Sequence, residues 1–125
     1  DGITNHEGHK SVSAWATAAF VAHAPAGASL YYSAYSREWG EAFLPHLREL
    51  GAFRDGAEPP VVDDDELILD LQLDAELLAL KVAAIRQHES QIAGLEEAFG
   101  ADRWSQAMSR ESFRLAHRRD VGGPS

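Results

Sequence analysis

The chain has 125 residues, with 20 acidic side chains against 11 lysines and arginines and a formal net charge of −9. That length fits one domain, and the acidity argues against a nucleic-acid or anionic-membrane surface, where a basic stripe is expected. Cysteine is absent, which excludes disulfides, thiolate zinc sites and a cysteine nucleophile and leaves His, Asp and Glu as the possible metal ligands; no apolar run approaches the roughly 20 residues that span a bilayer.

The first nine residues, Asp1-Gly-Ile-Thr-Asn-His6-Glu7-Gly8-His9, place two histidines three apart at the mouth of a helix. Residues 10–23 then read as that helix: Val12, Trp15, Ala19 and Val21–Ala22 form an apolar stripe near period 3.6, and alanine supplies propensity. Pro25-Ala-Gly27 stops it. Residues 29–36, rich in aromatics, read as a strand covered on both faces. Residues 37–50 form a helix pattern with Trp39, Phe43 and Leu47 spaced by four, in which Pro45 is expected to break the interior; Gly51 is a natural end.

Residues 54–65 read as a loop marked by Pro59-Pro60 and Asp63-Asp64-Asp65. Residues 66–73 alternate cleanly, with Leu67, Leu69, Leu71 and Leu73 on one face and Ile68, Asp70 and Gln72 on the other. That is a strand with one buried side, near a sheet edge. Asp74 caps a helix from Ala75 to about Ile92, on which Leu78, Val82, Ile85 and His88 share a side. Shorter helices follow at 95–99 and, capped by Asp102, at about 103–108. A closing strand spans 112–116. Residues 117–125 are polar and read as a tail. The order of helices and strands is that of an α/β domain. With few strands for a doubly covered sheet and a histidine pair already under way at residue 6, the chain reads as the C-terminal part of a larger enzyme.

The histidine pair is where the chemistry is concentrated. An i, i+3 spacing at a helix start brings two imidazoles near one face, where they can converge on one metal or one substrate. Gly2 and Gly8 permit close backbone approach, and Glu7 is a further possible ligand. The plainer alternative is a solvated or capping pair. A catalytic zinc needs three protein ligands and an open position, so at least one ligand has to come from elsewhere. Among other polar residues, His88 is either a core histidine or a pocket residue. His23 and His46 read as surface or helix-end residues. The acidic run 63–66 lacks the glycine spacing of a calcium loop and reads as solvated. Tyr31, Tyr32 and Tyr35 read as packing, with Tyr35 near enough to a strand end to face a pocket. No phosphate-binding glycine loop or serine nucleophile elbow is present.

Taken in order, Asp1-Gly-Ile-Thr-Asn-His6-Glu7-Gly8-His9-Lys10-Ser11-Val12, Leu30-Tyr31-Tyr32, Lys81-Val-Ala-Ala-Ile-Arg-Gln-His88-Glu-Ser90-Gln91 and Glu111-Ser-Phe113-Arg-Leu-Ala116 resemble the PIG-L/LmbE-like zinc-dependent N-acetylglucosaminyl deacetylases. There a glycine-containing loop runs into His-x-x-His and a helix. The resemblance implies the C-terminal part of a Rossmann-like layered fold with a mainly parallel sheet flanked by helices, spanning residues 1–116. It implies hydrolysis of an N-acyl group on an amino sugar or glycoconjugate with Zn2+, with His9 as metal ligand, His6 as catalytic residue beside the scissile carbonyl, and His88 and Gln91 at the substrate. The family's His-Pro-Asp-Asp motif, which supplies two zinc ligands and the aspartate base, does not occur here, so the partner implied is an N-terminal segment or chain of the same enzyme. Glu7 and Gly8 stand where the family often has Pro and Asp or Asn. With no signal peptide visible, the cytoplasm is the expected location. The alternative, from another class, is a non-catalytic ligand-binding or protein-interaction module that keeps the fold.

Overall fold

The computed structural model describes residues 6–53, 58–92 and 94–116, apart from the Gln91 side chain. The tail read at 117–125, Gly2 and the start of the 54–65 loop lie outside the described residues. Helix α1 spans Glu7–His23. Strands β1 (Tyr31–Ser33) and β2 (Tyr35–Ser36) follow, then helix α2 (Arg37–Glu49), β3 (Val61–Val62), a single 3-10 turn at Asp64–Glu66 and β4 (Leu67–Gln72). Helices α3 (Ala75–Arg86), α4 (Glu89–Ile92), α5 (Leu95–Phe99) and α6 (Ala101–Met108) lead to β5 (Arg110–Leu115).

The expected parallel Rossmann-like sheet is not what forms. β5 lies between β1 and β4 and runs antiparallel to both, and parallel pairing is confined to the two-residue strands β2 and β3. The alternation of β4 argues only against a parallel sheet covered on both faces. Strands buried on both faces in a parallel sheet read as continuous apolar runs, whereas a polar–apolar alternation marks an antiparallel sheet with one face in water. The strand read at 29–36 is also divided. The Ala34 N–H bonds Ser112 O on β5 at 3.1 Å, and the next amide, Tyr35, bonds Pro60 O beside β3 at 2.8 Å, so one extended run serves two sheets.

Cross-strand register sorts the larger sheet into two faces. Tyr31 opposes Leu115, Ser33 and Leu69 oppose Phe113, and Leu71 opposes Glu111; the leucine face read as the buried side of β4 stays open instead, with Leu69 44% and Leu71 49% exposed, because α1 and α2 pack against the polar face. The other face carries Tyr32 opposite Arg114 and Asp70 opposite Ser112. There Arg110 clasps Asp70 and reaches Glu38 on α2 at 2.8 Å, while the Ser112 hydroxyl donates to Asp70 at 2.7 Å.

The core sits beside the sheet, among α2, α5 and α6. Trp39, Leu44, Phe99, Trp104 and Ala107 are buried there, with Tyr35, Phe43, Leu47, Val61 and Ile85 packed against them. Trp39 stacks on Tyr35 at 3.8 Å and donates its indole N–H to Ala107 O at 3.0 Å. α2 begins on a Ser36 side-chain cap and runs unbroken through Pro45, which stands on its exposed side. α3 starts on the predicted Asp74 cap but stops at Arg86, so His88 falls between α3 and α4 rather than on a continuous helix. Gly100, at φ 84°, makes the bend into α6 that the sequence reading assigned to an Asp102 cap.

α1 is turned opposite to expectation. It has no buried residue. Lys10, Ser13, Thr17 and Phe20, the half-covered row, face inward, while Val12, Trp15 and Val21 of the apolar stripe are 60%, 70% and 58% exposed. The sheet face it meets is polar, and a polar helix row matches it: the Thr17 and Tyr32 hydroxyls lie 2.5 Å apart.

Candidate functional site

His6 is the N-cap residue of α1. Its backbone is extended and its ring nitrogen Nδ1 accepts the Gly8 N–H at 3.2 Å, satisfying one of the donors every helix start leaves open. The capping alternative is therefore realised for this histidine. The bond has a chemical consequence. A neutral imidazole that accepts at Nδ1 carries its proton on Nε2, so His6 presents an N–H donor outward and has no spare lone pair for a metal. His9, one turn on, is also exposed, with its ring centre 5.7 Å from that of His6 and tilted by 55°. Glu7 is turned to Lys10, 3.1 Å away.

Two imidazoles on one tetrahedral zinc would hold their ring centres on the order of 5 Å apart, so the spacing alone suits a shared small ligand. The described residues nevertheless do not complete a zinc centre. His6 is committed to the cap, Glu7 to Lys10, and no group of three or more His, Cys, Asp or Glu among the described residues could hold a metal ion.

The structure brings His6 and His9 together. His88 is exposed at the start of α4, where its carbonyl accepts the Ile92 N–H at 3.3 Å; Gln91 lies on α4, its side chain outside the described residues. An open depression of about 670 Å³ beside them is lined by Arg86, Glu89, Ile92, Glu96 and Glu97. Tyr35 is packed against Trp39, and burial, with a smaller contribution from Glu111, pushes its phenol above 10.0. Of the acidic run 63–66, Asp64–Glu66 form the 3-10 turn and Asp63, just before it, is paired to Arg37. His46 sits in the last turn of α2 with its ring 5.0 Å from Phe99.

Sequence reasoning missed a cleft of about 360 Å³ between α1 and the sheet, lined by Lys10, Ser13, Thr17, Tyr32 and Arg114 among others. Its signal was present in the polar row 10, 13 and 17, but that row becomes an inner wall only once α1 is turned away from its apolar stripe.

No protein-family model matches the chain, and comparisons with curated proteins and with solved structures find no match either. No helix among the described residues is long and apolar enough to cross a membrane.

Proposed function

We propose that this chain contributes one part of a zinc-dependent amide hydrolase acting on an N-acylated amino sugar or glycoconjugate. The carrying observation is the His6 cap: by accepting from Gly8 it holds an Nε2–H donor beside His9 at the helix mouth. A fixed N–H donor is what a developing oxyanion requires. In this reading His9 is a metal ligand and His6 the oxyanion donor. The remaining ligands and the base come from another segment or chain, and His88 and Gln91 contact the substrate. Zinc, when bound, would polarise the acyl carbonyl and acidify a water.

The test is zinc content and acetate release from an N-acetylated amino sugar, with any co-purifying polypeptide retained. Stoichiometric zinc lost in His9→Ala supports the reading. Zinc-free protein without acetate release, in that complete context, rejects it. His6→Asp refines the test, because a carboxylate keeps the cap but cannot donate. It should retain zinc and lose turnover by about 10²-fold or more.

A second reading, a non-catalytic interaction module, has its own observation: the outward apolar stripe of α1, with Trp15 70% exposed. Large exposed apolar residues grouped on one face mark contact surfaces. Its signature would be a partner whose binding is lost in Trp15→Ser and unaffected by His9→Ala.

A further inference from the structure

We propose that the open edge of β4 is a docking strand for an extended, basic segment of a partner protein. Among the described residues β4 pairs with β5 alone, so it is an edge of its sheet. Two bonds fix the direction of its backbone groups. Ser112 O on β5 accepts from Ala34 on the β1 side, so the Asp70–Ser112 pair exchanges no backbone bond. Leu73, just past β4, donates its N–H to Ser109 O at 2.8 Å. Pairs along an antiparallel ladder alternate. Leu69, Leu71 and Leu73 therefore turn their N–H and C=O to β5, while Asp70 and Gln72 turn theirs outward. Every residue of β4 after Leu67 is exposed, and unpaired groups on an exposed edge are a template for one more strand.

Charge decides which strand can add there. Residues 55–80 hold nine Asp and Glu and no Lys or Arg, while the rest of the chain carries 11 of each sign, so the whole net charge of −9 belongs to this stretch. Asp64 and Asp65 stand exposed on the 3-10 turn before β4, and Glu76 stands exposed after it. Arg110 and Lys81, the cations that reach this region, are held by Asp70, Glu38 and Glu111. A second copy pairing β4 with β4 would set two such acidic stretches side by side, and like charges across a strand pair repel. An added strand bearing Lys or Arg meets attraction instead. The leucine face sets its other requirement. Leu69 and Leu71 are 44% and 49% exposed, so apolar side chains at alternate positions of the added strand would pack beside them. The irregularity between Leu67 and Leu69 leaves residues 69–72 as the regular stretch, and the occupant is accordingly a short segment that alternates apolar and basic residues. The surface uses nothing from α1 and does not depend on the hydrolase reading.

The test is a titration of the isotope-labelled chain with a synthetic peptide of alternating valine and lysine, followed by amide shifts and hydrogen exchange. Saturable shifts along residues 64–76 are expected, with exchange of the Asp70 and Gln72 amides slowed about 10-fold or more. Asp64→Asn combined with Asp65→Asn, both on the exposed turn, should weaken binding about 5-fold. Methylating the peptide's backbone nitrogens keeps its charge and removes its N–H donors, and should weaken binding about 10-fold or more. Binding that this methylation leaves unchanged is attraction to an acidic surface only and overturns the proposal. So does a lack of saturation, or equal binding of a valine–glutamate peptide. Slowed exchange at Asp70 and Gln72 that grows with protein concentration, with no peptide present, assigns the edge to a second copy and overturns it as well.

Discussion

Two buried tryptophans show how much one hydrogen bond decides. Both are about 5% exposed, yet the Trp39 indole N–H reaches Ala107 O while that of Trp104 has no hydrogen-bond partner among the described residues. Replacing either with Phe removes ring volume. Only Trp39→Phe also leaves a buried carbonyl without its donor, which costs about 1–3 kcal/mol. Urea midpoints should therefore fall further for Trp39→Phe than for Trp104→Phe. At Asp70, the Arg110 guanidinium and then the Ser112 hydroxyl hold the carboxyl below its ordinary 3.8. A carboxyl lowered in the folded state stabilises the fold above its unfolded pKa and loses that contribution as pH falls through the folded one. Acid titration of stability should thus show a limb below about pH 4 that is shallower in Asp70→Asn. Tyr35 acts at the other end. Its raised phenol keeps its proton when the unfolded chain has lost it, so stability falls as pH rises past about 10, and Tyr35→Phe should flatten that alkaline limb.

At the scale of elements, Gly40 explains how α2 reaches β3. A Cβ there would stand 3.0 Å from Val61 Cγ2. In an open helix Gly→Ala gains about 1 kcal/mol. Here overpacking, at about 1–3 kcal/mol, outweighs it, and Gly40→Ala should lower the thermal midpoint. Gly40→Ala combined with Val61→Ala should relieve part of that loss. What was readable in the chain follows the same division between local and distant causes. The Asp74 cap was legible because a cap is a contact within three residues, whereas Ser36, read as the end of a strand, caps α2, and the alternation of residues 67–72 gave a strand because side-chain direction is local. Pairing direction is not local: β5 lies between β1 and β4 only after the helices α3 to α6 have turned the chain back. The histidine pair was legible from spacing alone. Its cap is local and was one of the two alternatives the spacing left open, whereas the wall formed by Lys10, Thr17, Tyr32 and Arg114 depended on which way α1 would turn.

Across the whole molecule, apolar burial is uneven. It gathers around Trp39, Phe99 and Trp104, while α1 has no buried residue and meets a polar sheet face. Trp15→Gln should then leave global stability within about 0.5 kcal/mol of the parent, as for an ordinary surface site, in contrast to changes at Trp39. The inverted seating of α1 also sets a kinetic hierarchy. Segments holding little buried apolar surface open at lower free energy than the global unfolding. Backbone amides of α1 should exchange with deuterium well before those of β5, which is flanked by a strand on either side, and limited proteolysis should first cut beside α1, at residues 24–30. With no residue buried, the helix that carries His9 and Lys10, capped by His6, should open before β5, so anything bound there would be read out as protection of its amides.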